Sequence, residues 1–173
     1  MTLEKLGRRD ESISTLSDIR NDFCNEVRVF NNLGIIQKRK GDVKEAEQCY
    51  KSAINVEPNS FFPNYNMAIM LAEDSQSAAE ALKHFNVALR NARKAKESLY
   101  EMNVLLSMAV IEEQSRDYEA AYNSLRQAMV LDPENMKIHS KLGQIEPFVQ
   151  PNIHPTNPFI TARDNDIAAR NEI

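Results

Sequence analysis

Small and large side chains return along this chain at helical spacing and at a longer, nearly constant period. A small residue stands at Ser12, Ala46, Ala81 and Ala121, in steps of 34, 35 and 40 residues. Four positions after each comes a large apolar one: Leu16, Tyr50, Phe85 and Leu125. Three further on stand Ile19, Ala53, Ala88 and Ala128. Gly34, Ala68, Ala109 and Gly143 hold a small position in the other helix of each pair. Two antiparallel helices approach closely only where their facing side chains are small, and large residues one turn away fill the space between neighbouring pairs. The pattern predicts helical hairpins near 8–20, 27–57, 61–95 and 102–131, a further helix near 136–144, and burial of Ala46, Ala53, Ala81, Ala88, Ala121 and Ala128. Pro58 and Pro133 separate the hairpins, because proline suits the start of a helix better than its interior. Ser60 and Asn135 follow them as N-cap residues.

The unequal step needs its own account. The 40-residue interval places extra residues around Asn91–Glu101, in a stretch without Gly or Pro. Longer flanking helices accommodate them better than a loose loop. At the N-terminus, "EKLGRRDESISTLSDI" has the pattern of a turn and second helix, with Leu3, Leu6, Ile13, Leu16 and Ile19 forming an apolar face. An uncovered face of this kind favours association, so either upstream sequence in a longer protein or a second chain is expected to cover it. The isolated chain is expected to self-associate through the N-terminal end or to be unstable there.

In "VFNNLGIIQKRKGDVKEAEQCYKSAINVEPNS", the residues Phe30, Leu33, Gly34, Ala46, Tyr50, Ala53 and Pro58 are spaced as in the tetratricopeptide repeat. The chain resembles that family over roughly residues 1–143, most closely at 27–60. The resemblance implies an all-α, right-handed superhelical solenoid of helical hairpins with a proline-rich C-terminal tail. Its units are a partial repeat 1–26, repeats 27–60, 61–101 and 102–135, a partial last repeat 136–143, and a tail 144–173. The tail carries Pro147, Pro151, Pro155 and Pro158 together with Phe148, Val149, Ile153, Phe159 and Ile160. Prolines so spaced forbid a continuous helix and favour an extended path. Either this end is disordered, or it is a strap lying along the last hairpin.

Composition narrows the functional classes. A net charge of −4 and a pI near 5.5 argue against nucleic acid as the main ligand. No run of 18 apolar residues offers a membrane span. The N-terminus lacks the apolar stretch of a secretory signal. Cys24 and Cys49 fall in different repeats and read as reduced thiols of a cytoplasmic protein. His84, His139 and His154 are scattered, with no zinc-type spacing. There is no glycine-rich phosphate loop and no Gly-x-Ser-x-Gly elbow. The carboxylates near Glu112 and Glu113 read as a solvated helix face. No catalytic residue, metal or cofactor is expected.

The expected function is therefore recognition of a protein or peptide. The resemblance implies that the first helix of each hairpin lines a concave groove. In the first complete repeat this assigns Arg28, Asn31, Asn32 and Ile35, with Lys38 and Arg39 adding positive charge at that end. In the second it assigns Phe62, Tyr65, Asn66 and Ile69. In the third it assigns Asn103, Leu106, Ser107 and Val110, and in the last Lys137, Ser140, Lys141 and Gln144. Asn32 and Asn66 share one repeat position, where family members that grip extended peptides use asparagine. A side-chain amide can both donate to and accept from a peptide backbone. The carboxylate clamp of the family's co-chaperones needs Lys then Asn, Asn, and Lys then Arg over three repeats. One register of this chain offers Asn31, Ile35, Asn66, Asn103 and Ser107. The other offers Tyr65, Ile69, Ser107, Lys137 and Lys141. Neither supplies the set. The expected role is a protein-interaction scaffold or adaptor within a larger assembly. The alternative is the substrate-recruiting arm of a multidomain enzyme such as a glycosyltransferase.

Overall fold

The computed structural model describes residues 27–149 of the 173. The segment 1–26, with its expected helix and self-association face, lies outside the described residues, as does the tail beyond Val149. Seven α-helices follow one another: α1 Val27–Lys40, α2 Val43–Val56, α3 Phe61–Leu71, α4 Ala78–Ala95, α5 Ser98–Gln114, α6 Tyr118–Leu131 and α7 Met136–Ile145. There are no strands among the described residues. The most extensive packing is within the pairs α1–α2, α3–α4 and α5–α6, and each pair then packs on the next element along the chain. This is the stack of hairpins that the period predicts.

The reason lies at the small positions. Ala46, Ala53, Ala81, Ala88, Ala121 and Ala128 are all fully buried. Tyr50, Phe85 and Leu125 are buried beside them and fill the space between helices. Most of the apolar interior, from Phe61 to Ile145, forms one cluster running through the later hairpins. A smaller cluster of Ala46, Tyr50, Met67 and Met70 joins the first hairpin to the second.

The turns follow local chemistry. Gly41, between α1 and α2, has φ +93°, a conformation that glycine adopts without strain. The corresponding turn between α5 and α6 has Arg116 at φ 60°. The extra residues near Asn91–Glu101 lengthen helices, as expected: α4 has 18 residues and α5 has 17. Lys96, left-handed at φ 58°, turns the chain between them. Arg93 Nε on α4 donates to Glu101 Oε1 on α5 at 2.7 Å, bracing this longer junction.

Two expectations are corrected. Ser60 occupies the N-cap position of α3 but makes no capping bond with its side chain. The turn is held instead by Asn64, whose Nδ2 donates to the carbonyls of Ser60 at 2.8 Å and Pro58 at 3.0 Å. Asn135 does cap α7, accepting from the Lys137 amide at 3.2 Å. Glu112 does not lie on a solvated face. It is 7% exposed, and Ser124 Oγ donates to its Oε2 at 2.7 Å. Burial raises its pKa above the ordinary value, against the lowering effect of the Ser124 bond. Glu113, its neighbour, is partly exposed and pairs with Lys141 at 2.9 Å.

At the C-terminal side, Glu146–Phe148 continue α7 as one 3-10 turn. Phe148 stacks on Tyr118 with ring centroids 4.7 Å apart.

Candidate peptide-binding groove

A cavity of about 600 Å³ opens across the first helices of three successive hairpins. Helix α1 contributes Val27, Arg28, Asn31, Asn32 and Ile35. Helix α3 and the turn before it contribute Glu57, Ser60, Phe61, Phe62, Pro63, Tyr65 and Asn66, and α5 contributes Tyr100 and Asn103. On α1 the residues 28, 31, 32 and 35 recur every three or four positions, which puts them on one face of the helix. Of the residues assigned from sequence, the cavity gathers Arg28, Asn31, Asn32, Ile35, Phe62, Tyr65, Asn66 and Asn103.

The others lie elsewhere. Lys38 pairs with Glu73 at 2.8 Å, and neither it nor Arg39 belongs to this lining. Ile69 and Leu106 are partly buried and pack against the main apolar cluster. Ser107 Oγ donates back to the Asn103 carbonyl at 2.8 Å and lies 3.5 Å from the Tyr65 hydroxyl. It links α5 to α3. Val110, Lys141 and Gln144 line a separate cleft between α5 and α7, closed on one side by Tyr118 and Phe148.

The two walls of the cavity differ. One is aromatic. Phe61 stacks on Tyr65 at 5.5 Å and on Tyr100 at 4.9 Å, and Phe62 meets Tyr100 edge to face at 5.7 Å. Such offset and edge-on pairs hold rings rigidly and favourably. Phe62 is 51% exposed and Tyr100 is 36% exposed, so this wall offers apolar surface at little further entropic cost. The other wall is amide. Asn66 Nδ2 donates to Asn31 Oδ1 at 2.9 Å, and Asn31 is only 7% exposed. That bond fixes the spacing of α1 and α3. Asn32 is exposed and projects an amide at the cavity. Arg28 and Glu57 place one charge of each sign on the rim.

Several of these residues are not apparent from repeat position. Tyr100 stands three residues before Asn103, hence on the same face of α5. The added length at the 40-residue step is the signal that α5 begins early enough to include it. Asn64 is 1% exposed and acts from below, holding the Pro58–Ser60 turn that forms the cavity's edge. Its Oδ1 lies 2.9 Å from His84 Nδ1. Because Asn64 Nδ2 is spent on two carbonyls, Oδ1 accepts and His84 Nδ1 donates. Burial is the main cause that lowers the His84 pKa below its ordinary value, with Glu80 opposing and Lys51 adding to the shift. His84 is thus a structural histidine of the hairpin. Cys49 is a buried thiol. Among the described residues no cluster of three potential metal ligands occurs, and no helix is long and apolar enough to cross a membrane.

The family model of the tetratricopeptide repeat matches residues 27–60. No curated protein matches the chain in sequence. Solved structures share its fold. MamA residues 41–end from Desulfovibrio magneticus RS-1 superimposes with a TM-score of 0.70 at 19% identity, over 84% of this chain and 78% of that one. The N-terminal domain of stress-induced protein-1 from C. elegans gives 0.64 at 16% identity, over 69% of this chain and 94% of the domain. The first TPR of Spaghetti (RPAP3), bound to the HSP90 peptide SRMEEVD, gives 0.60 at 19% identity, over 70% and 90%. Residues 27–60 thus carry a tetratricopeptide repeat in sequence, and the stacked hairpins of the described residues share the solenoid fold of these structures.

Proposed function

We propose that this protein is an interaction scaffold whose groove between α1, α3 and α5 holds a segment of a partner protein. The observation that carries the reading is the pairing of an exposed aromatic wall, Phe62 and Tyr100, with the amide wall of Asn31, Asn32 and Asn66. The aromatic wall suits an apolar side chain of the ligand. The Asn32 amide suits its backbone, since it can donate and accept at once. Arg28 favours an acidic group at that end of the segment. Binding of peptides by a protein of this fold, as in the RPAP3 complex, supports the general mode.

The same comparison does not carry the ligand across. Neither register supplies a carboxylate clamp. The first offers no cation at its five positions. The second offers Lys137 and Lys141 but has Tyr65 in place of the leading lysine and Ile69 and Ser107 in place of the asparagines. A carboxylate buried without its full set of partners is costly. The reading is of an adaptor within a larger assembly, acting by binding and not by catalysis. The buried thiol of Cys49 suits a reducing, cytoplasmic setting.

Affinity capture followed by mass spectrometry tests the proposal, run side by side on the native chain and on Asn32→Ala combined with Phe62→Ala. A partner retained by the first and lost by the second, with both proteins equally folded, supports the groove. A partner retained equally by both refutes it.

A further inference from the structure

Near the C-terminal end of the described residues lies a second apolar groove, built from other helices than the first. In each complete hairpin a small residue of the first helix is matched by a large residue of the second: Gly34 with Tyr50, Ala68 with Phe85, Ala109 with Leu125. Helix α7 takes the place of a first helix after α6, and its equivalent residue is Gly143. A β-carbon built on Gly143 meets no described atom within 4 Å. Beside it, α6 and α7 enclose a cavity of about 560 Å³ lined by Tyr122, Met129, Val130 and Leu142, with Arg126 and His139 among its polar residues. Val130 is 77% exposed there, on an otherwise well-packed helix.

We propose that residues 150–160 of the same chain cover this groove. Three observations point to that occupant. First, the described chain leaves the solenoid at Val149, which packs on the same apolar cluster as Tyr122, Met129 and Leu142. Another 24 residues follow it. Second, reach is sufficient. Helix α7 has 10 residues and is about 15 Å long, whereas an extended proline-rich segment spans about 3.1 Å per residue, so eleven residues cover it about twice over. Third, the composition fits. "QPNIHPTNPFI" contains no Asp, Glu, Lys or Arg, so entering an apolar groove strips no such charge of water. Ile153, Phe159 and Ile160 supply apolar side chains, and Pro151, Pro155 and Pro158 favour the extended form over a second helix.

The chain contains no tryptophan, so Phe159→Trp in the full chain gives a single fluorescent reporter. The expected emission is blue-shifted from that of a solvated indole and independent of protein concentration. Adding Val130→Glu, an exposed position whose change does not threaten the fold, shifts the emission to the red. Adding Val43→Glu on the remote α2 leaves it in place. Emission of a solvated indole in the Phe159→Trp chain overturns the proposal. So does a blue shift that ignores Val130→Glu. A blue shift that vanishes on dilution also overturns it, in favour of a second copy as the occupant.

Discussion

Gly34 lies flat against the ring of Tyr50: a β-carbon on Gly34 would stand 2.5 Å from Tyr50 Cε1 and 2.7 Å from Cδ1. No real contact is so short, and Tyr50 is 1% exposed with no room to withdraw. The Leu-Gly of the first repeat is therefore set by a ring, not by a turn. Burial, the largest cause, also pushes the Tyr50 hydroxyl pKa up to about 12.

Gly34→Ala should destabilise the protein by about 1–3 kcal/mol through overpacking. In a chain shortened after Val149, where the proposed cover is gone, Gly143→Ala should do the opposite, gaining about 0.5–1 kcal/mol, because it removes a helical glycine with no described contact in the way. Urea unfolding of the two variants checks the pair. Equal effects of one sign would contradict the assigned packing. Ala53→Leu, at a fully buried contact between helices, should resemble Gly34→Ala.

Arg116 holds a left-handed conformation that Gly41 holds in the equivalent turn. An L-residue there costs roughly 1–2 kcal/mol, partly offset by the smaller chain entropy of a non-glycine residue. Arg116→Gly should thus raise stability by up to about 1 kcal/mol, read as a higher urea midpoint with an unchanged slope.

Two titrating groups, the buried Glu112 and the partly buried His84, give opposite pH dependences. The Glu112 pKa is raised in the folded state, so the folded protein holds the proton longer than the unfolded chain. Stability from this group is greatest below its ordinary value and falls as pH rises through the raised one. The His84 pKa is lowered, so its contribution is full above the ordinary histidine value and is lost as pH falls toward the folded-state value. Glu112→Gln should remove the first slope while keeping the acceptor for Ser124, and His84→Gln should flatten the second. Unfolding curves from pH 4 to 8 that match the native chain would exclude these assignments.

The two groove asparagines should separate in their effects. Asn66→Ala leaves Asn31 Oδ1 without its partner in a buried site and should cost about 1–3 kcal/mol of stability. Asn32→Ala should leave stability within about 0.5 kcal/mol and weaken ligand binding by about 0.5–1.5 kcal/mol. Thermal unfolding and calorimetry on the same samples distinguish them.

The fold was legible because its cause is local and periodic. Alanines at a fixed interval mark helix contacts, and the 40-residue step announced the long α4 and α5. The groove was legible only in part. Asn32 and Phe62 can be assigned by repeat position, because position alone decides which way a helical residue points. The partners of those residues cannot. The Glu73 that pairs with Lys38 and the Asn31 that takes the Asn66 amide come from neighbouring repeats. Glu112 looked solvated because Glu113 stands beside it, whereas Ser124, which satisfies its carboxyl in the buried site, is on the facing helix. Asn64 was hidden for a similar reason, since its role depends on carbonyls of the preceding turn.

The central claim is that a partner lies in the groove formed by α1, α3 and α5. A photo-crosslinking amino acid placed at Phe62 tests it most directly, with the same group at exposed Val43 on the second helix of the first hairpin as control. The account predicts a crosslinked partner peptide from position 62, none from 43, and loss of the first product when Asn32→Ala and Tyr100→Ala are added. Crosslinks from 43 alone, or from 62 with no response to those substitutions, would contradict it.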